Sequence, residues 1–236
     1  MVGRGIEDID IKMPRDAYDT GKHMPTFNVY LTAIVRDSEG RVIKVHRQRS
    51  HSPTANFIGL MLPLQYFINT NSSYTLTNTG GSTTGYQPNT TIQAYDISYP
   101  NAEQNFQTYL AMIQVGSGQQ SNPYSAHSLA APIANGSGSG QLVYGQPSIP
   151  STITVSGSEA YFTISQTFNN NSGSTVTITE VGIILNLWLN SLYISGSIVE
   201  NNNFGNVLVW YDVLSSSISV PNGGSVTIYY TFTVNP

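Results

Sequence analysis

Glu159-Ala160-Tyr161-Phe162-Thr163-Ile164-Ser165-Gln166-Thr167-Phe168, the turn Asn169-Asn170-Asn171-Ser172-Gly173, and Ser174-Thr175-Val176-Thr177-Ile178-Thr179-Glu180-Val181-Gly182-Ile183-Ile184-Leu185-Asn186 form the stretch on which the fold turns. Its β-branched and aromatic residues suit a pleated, half-buried surface. The Asn/Ser/Gly cluster between them is turn chemistry. Similar alternating runs lie near 141–145, 151–155, 190–199, 206–214, 217–220 and 225–234. Asn201-Asn202-Asn203 and Pro221-Asn222-Gly223-Gly224 separate the later runs, and the second turn is expected to set up a final hairpin. Many short strands without a βαβ rhythm predict a sandwich or barrel, and no repeat of fixed period is visible. The expected fold is therefore all-β: a β-sandwich of jelly-roll type, with an extended N-terminal arm and one short helix.

Upstream, Thr108–Val115 reads as a strand ending at Gly116-Ser117-Gly118, and residues 134–140 as a flexible Gly/Ser segment. Residues 69–108 are rich in Asn, Thr, Ser, Gly and Tyr, which predicts a looser insertion, either a long loop or short irregular strands. Phe57, Leu60, Met61, Leu64, Phe67 and Ile68 recur at helical spacing. With Ser52-Pro53 as N-cap and first turn, this places a helix at about 53–68, kinked or split by Pro63. Thr26–Arg36, the turn Asp37–Gly40 and Arg41–Arg47 read as a β-hairpin. Its second strand sets Arg41, Ile43, Val45 and Arg47 against Val42, Lys44 and His46. Neither face is apolar, as expected of an edge strand blunted by positive charge. Residues 1–25 are charged, contain Pro14 and Pro25, and hold no helical or strand period. The chain thus divides into an arm, 1–25, that orders against a partner, and a body, 26–236.

Charged residues make up only 9% of the 236 residues, against about 25% in a typical soluble protein. Ser, Thr, Asn, Gln and Gly take their place. No Cys is present, which excludes disulfides, thiolate catalysis and Cys-ligated metals. All nine basic residues lie between Arg4 and Arg49; with seven acids in that stretch its balance is +2. From Ser50 onward there is no base, and Asp96, Glu103, Glu159, Glu180, Glu200 and Asp212 give −6. The two parts are therefore expected to face different environments or to do different jobs. Met1–Asp8 has no apolar signal-like core, so Sec export is not expected from the chain as given. The longest apolar run, Phe57–Ile68, is too short for a membrane span.

A series of phrases in the second half carries a resemblance. These are Ile113-Gln114-Val115-Gly116-Ser117-Gly118, Pro123-Tyr124, Leu129-Ala130-Ala131-Pro132-Ile133 and Tyr161–Asn170. They continue with Thr177-Ile178-Thr179-Glu180-Val181-Gly182-Ile183, Leu208-Val209-Trp210-Tyr211-Asp212-Val213-Leu214, Ile218–Pro221 and Val226–Val234. In this order they resemble small β-rich virion proteins of tailed bacteriophages and archaeal viruses, over about residues 110–236. The resemblance implies a capsid, turret, spike or tail role. Such proteins often carry an Arg near the Trp210-Tyr211 position, where this chain has none.

Candidate sites point to assembly rather than chemistry. Glu180, an acid between apolar neighbours and beside a Gly, is expected to accept backbone or hydroxyl hydrogen bonds at a sheet corner. Gly182 is expected to mark a bulge or close backbone approach. Gly116-Ser117-Gly118 lacks the Lys that a phosphate-binding loop needs and reads as a turn. His23, His46, His51 and His127 have no metal-ligand spacing, and the GxSxG pattern is absent around Ser125, His127 and Ser128. Glu7, Asp8 and Asp10 read as a solvated acidic arm before a Ca²⁺ site, and nothing singles out a glycosidase pair among the body acids. Arg4, Lys12, Arg15, Lys22, Arg36, Arg41, Lys44, Arg47 and Arg49 are the expected subunit-docking residues. Asn71, Asn89, Asn135 and Asn170 begin N-x-S/T sequons and are candidate glycosylation sites in turn-rich stretches.

The expected function is that of a non-enzymatic virion subunit, assembled in the host cytoplasm and resident in the extracellular particle, with no cofactor. Its expected partners are other virion subunits, including copies of itself; nucleic acid is not among them. Competing readings are a receptor- or glycan-binding spike or tail adhesin, a cellular filament or sheath subunit, and a glycan-cleaving spike. A body with so few charges also has little to lose in acid, which suits a harsh exterior.

Overall fold

The computed structural model describes residues 26–50, 52–64, 74–86, 91–93, 111–190, 193–194, 197–198 and 202–235. The arm, 1–25, lies outside them. The elements are β1 (Thr26–Arg36), β2 (Val42–Ser50), α1 (Ala55–Leu64), β3 (Tyr74–Thr77), β4 (Thr83–Tyr86), β5 (Thr91–Gln93), β6 (Ala111–Gly116), β7 (Val143–Tyr144), β8 (Thr154–Ser156), β9 (Glu159–Asn169), β10 (Val176–Asn190), β11 (Tyr193–Ile194), β12 (Ser197–Ile198), β13 (Asn202–Val220) and β14 (Ser225–Asn235).

Two antiparallel sheets make the body. The first has the order β2-β1-β14-β9-β7, with β8 also on β9. The second runs β13-β10-β5, with β6 also on β10. β3–β4 and β11–β12 are small separate hairpins. The period of two decides what faces inward. Val29, Leu31, Ala33 and Val35 of β1, Val226, Ile228 and Tyr230 of β14, and Ile164 and Phe168 of β9 bury against Ile113, Val115, Ile178, Val181 and Ile183 of the second sheet. A one-residue slip would turn each of these sets to solvent, so burial fixes the register. This is the expected sandwich; the strand order does not by itself show jelly-roll wiring.

The final turn departs from expectation. β13 belongs to the second sheet and β14 to the first, so Pro221–Gly224 carries the chain between sheets and closes no hairpin. The turn after β9 also crosses, since β9 and β10 lie in different sheets. Asn170 locks the two crossings together. Its Nδ2 donates to the carbonyls of Ser174 (2.8 Å) and Val220 (2.7 Å). The Asn170 backbone exchanges bonds with Gly223 and Gly224, and Gly173 N donates to Asn222 Oδ1.

The helix begins later than the Ser52-Pro53 signal suggested. Ser52–Thr54 is extended along β13: Tyr211 N donates to Ser52 O and Thr54 N to Val209 O. That pairing occupies the backbone a helical first turn would need. Thr54 becomes the cap, its Oγ1 accepting from Phe57 N and bonding Leu208 O. The described helix runs to Leu64, one residue past Pro63; the expected continuation to 68 lies outside the described residues. Phe57 meets Trp210 edge-on, and Trp210 meets Phe232 likewise, which ties the helix to both sheets.

The runs 206–214 and 217–220 belong to one strand, β13. The break between them is a bulge: Ile178 faces Ile218 but Glu180 faces Val213, so only Thr179 stands opposite Leu214–Ser217. A bulge leaves ladder groups unpaired and bends its strand. Its backbone groups must find other partners.

Candidate functional site

Those partners come from β2. This strand is an edge of the first sheet, as its mixed faces predicted. From Lys44 onward its even-numbered side chains reach β13 and bond to it. Lys44 Nζ donates to Ser217 O (2.7 Å), and Gln48 Nε2 donates to Val213 O (3.0 Å). Gln48 Oε1 accepts from Ser215 N (2.9 Å), and His46 Nδ1 lies 3.2 Å from Ser216 Oγ. Ser50 Oγ donates to Asp212 Oδ2 (2.5 Å). One edge of the sandwich is thus closed by side chains rather than by strand pairing. The alternation Lys44, His46, Gln48, Ser50 was the signal for this, and it reads as surface until the bulge it serves is known.

The odd-numbered side chains of β2 face out. Ile43 and Val45 are each 53% exposed, and Arg47 and Arg49 are exposed too. Register sets Arg49 opposite Tyr30 and Arg47 opposite Thr32 on β1. Neither guanidinium has a hydrogen bond or ion pair among the described residues.

The other docking candidates sort differently. Arg36 donates to Gly40 O, and Arg41 pairs with Asp37 (2.8 Å) and Glu39 (2.9 Å) across their own turn. The Arg41 guanidinium holds the Asp37 carboxyl below its ordinary range. Lys44 is spent on the bulge. Arg4, Lys12, Arg15 and Lys22 lie outside the described residues. Within the described body, Arg47 and Arg49 are therefore the bases left free for a partner.

Glu180 occupies the role expected of it. It is fully buried on the outer face of the second sheet, beneath the loop that follows β6. Oε1 accepts from Ala131 N (2.7 Å) and Gly118 N (3.2 Å); Oε2 accepts from Ala130 N (3.0 Å) and the Tyr211 hydroxyl (2.8 Å). A buried charge needs such donors. The glycines make room for it. A Cβ on Gly116 would lie 2.4 Å from Glu180 Oε1, and one on Gly182 2.5 Å from Leu208 Cδ1. The Gly-Ser-Gly turn does cradle an anion, and the anion is the chain's own. Ala126, Leu129, Ile184, Leu208 and Tyr211 form a small second core beside it.

Asp212 points the other way, into the space between the sheets. Oδ2 accepts from Ser50 Oγ and from the Tyr230 hydroxyl (2.9 Å), and Trp210 Nε1 donates to Ser50 Oγ. Burial first, and then the neighbouring Asp212 charge, push the Tyr230 hydroxyl well above its ordinary pKa. Burial likewise raises Tyr211, with Glu180 adding to it, and Tyr144. Tyr144 donates to Ile133 O (2.7 Å), beside the backbone bonds that residues 131–133 make along the far edge of β6. Glu180 and Asp212 thus face opposite sides of one sheet and share no cleft, as a glycosidase pair would have to.

His46 belongs to the stitched edge, bonding Gln48 and Ser216. His127 is exposed on the loop after β6. His23, His51, Glu7, Asp8 and Asp10 lie outside the described residues, among which no group of three His, Asp or Glu is placed to hold a metal. Of the sequons, Asn71 and Asn89 are outside as well. Asn135 is partly exposed, its Oδ1 accepting from Tyr144 N. Asn170 was expected in an exposed turn and is instead fully buried, with its amide hydrogens committed to the sheet crossing. A glycan on that nitrogen would displace the crossing.

Among the described acids from Ser50 onward, Glu180 and Asp212 are buried and Glu159 is partly exposed. The described outer surface beyond β2 is nearly free of charge. The fold and this edge define a β-sandwich with one basic, side-chain-stitched edge and a neutral-polar body. Comparison with protein-family models, with curated proteins and with solved structures finds no match to this chain.

Proposed function

We propose that the chain is a structural subunit of a virus particle, which docks through its charged N-terminal region and presents the neutral-polar body outward. The observation that carries this reading is the segregation of charge. Every base precedes Ser50, and the described ones not used internally, Arg47 and Arg49, stand on an open sheet edge. Charge concentrated on one edge sets partner and orientation more than raw affinity. The buried acids support the same reading, because their donors join loop to sheet and sheet to sheet. Its partners are further virion subunits, including copies of this chain, and its place is the particle.

The test is deletion of residues 1–25, with the shortened chain co-expressed with the remaining particle subunits. The expected result is a body with the far-ultraviolet circular dichroism of the full chain that is missing from purified particles. Normal incorporation of the shortened chain would defeat the reading.

A further inference from the structure

Among the described residues, the outer edge of β2 pairs with no strand, and Ile43, Val45, Arg47 and Arg49 border it on its outer side. Positive charge blunts such an edge against unselected pairing, so an added strand has to neutralise it. Its two free arginines choose which strand. A second β2 edge would crowd the arginines of both copies into one strip, whereas an acidic strand would neutralise them. The chain contains one such segment. Within the arm, Asp8-Ile9-Asp10-Ile11-Lys12-Met13 alternates strictly between charged and apolar residues. The pattern is too short to show as a period over the whole arm, but six residues suffice for an edge strand. Antiparallel pairing with Asp10 across from Arg47 puts Asp8 across from Arg49 and Lys12 across from Val45, because one position falls by two as the facing one rises by two. Directly opposite, oppositely charged pairs are favourable, and like pairs are not. Residues 14–25 separate this segment from β1 and can span about 40 Å when extended. That is ample for reaching a neighbouring subunit.

We infer that Asp8–Met13 of a second copy of this chain adds as a strand to the β2 edge, with Asp8 and Asp10 against Arg49 and Arg47. The inference rests on the assembly reading above and names the surface that the arm meets. The matched charges set partner choice, and backbone hydrogen bonds extend the first sheet by one strand from each neighbour.

A charge-exchange experiment with full chains tests it. One variant carries Asp8→Lys and Asp10→Lys; the other carries Arg47→Asp and Arg49→Asp. In each variant alone, arm and edge bear the same sign. Sedimentation velocity should show association of each weakened on the order of tenfold or more relative to the natural chain. Mixing the two at equal concentration should restore association, because the basic arm of one meets the acidic edge of the other. Unchanged circular dichroism checks that both variants fold. Two outcomes overturn the inference: variants that associate as strongly as the natural chain, or a mixture that stays dissociated. A natural chain that never associates would instead remove the assembly reading itself.

Discussion

Ser50 Oγ donates to Asp212 Oδ2 across 2.5 Å, joining the last residue of one edge strand to the edge strand of the facing sheet. Trp210 Nε1 donates to the same Ser50 oxygen, and the Tyr230 hydroxyl donates to the same carboxylate oxygen. Three strands thus meet at two polar atoms inside an apolar layer. Such a network is favourable only while every member is satisfied. It also fixes the end of β2 from which the docking arginines project.

Ser50→Ala should therefore destabilise the body by roughly 1–3 kcal/mol, the usual cost of leaving buried donors and acceptors unpaired. Urea unfolding measures this. A double-mutant cycle with Tyr230→Phe should show coupling, since both hydroxyls share Asp212 Oδ2. Additive losses would mean that the two bonds act independently.

Glu180→Gln should cost about 2–4 kcal/mol, because an amide turns donor hydrogens toward backbone N–H groups that need an acceptor. Gly116→Ala should also destabilise, by roughly 1–3 kcal/mol, since its Cβ would fall 2.4 Å from Glu180 Oε1 and 2.8 Å from Ala131 O. Thermal unfolding of the two variants checks both. A Gly116→Ala chain as stable as the original would show that the cradle is loose.

Alkali should unfold the protein steeply. Tyr144, Tyr211 and Tyr230 have folded pKa values raised above the ordinary 10.0. The unfolded chain therefore releases these protons first. Their contribution is complete below pH 10 and disappears as pH climbs from there towards the folded values. The slope is about 1.4 kcal/mol per pH unit for each tyrosine. Absorbance of tyrosinate, followed together with circular dichroism, should show these groups ionising only as the fold is lost. Early ionisation with the fold intact would contradict their burial.

In a glycosylating host, site mapping by mass spectrometry should find Asn170 bare. Asn135 is the described sequon with room for a sugar. A glycan on Asn170 of folded protein would be incompatible with its bonds to Ser174 and Val220.

Much of the architecture was legible because strand alternation is a local property. The runs at 26–36, 159–168 and 225–234 appear within a residue or so of their expected bounds. Glu180 was legible in kind, since an acid among apolar neighbours must find donors. Sheet membership was not. Pro221-Asn222-Gly223-Gly224 has the chemistry of a hairpin turn, and what makes it a crossing is Asn170, 50 residues upstream of the Val220 carbonyl it holds. The role of β2 was half legible. Its mixed faces marked an edge, but Lys44, His46, Gln48 and Ser50 acquire meaning only from the bulge at Leu214–Ser217. Sequence alone therefore groups Lys44 with the docking residues, whereas its ammonium donates to the Ser217 carbonyl.

The most direct test of the assembly account is sedimentation velocity of the purified full chain over a range of concentration and salt. Exposed charge pairs are screened as ionic strength rises. The account predicts species at multiples of 25.6 kDa at low salt that dissociate as salt increases and are absent after deletion of residues 1–25. A chain that remains a single 25.6 kDa species at every concentration and salt would contradict it.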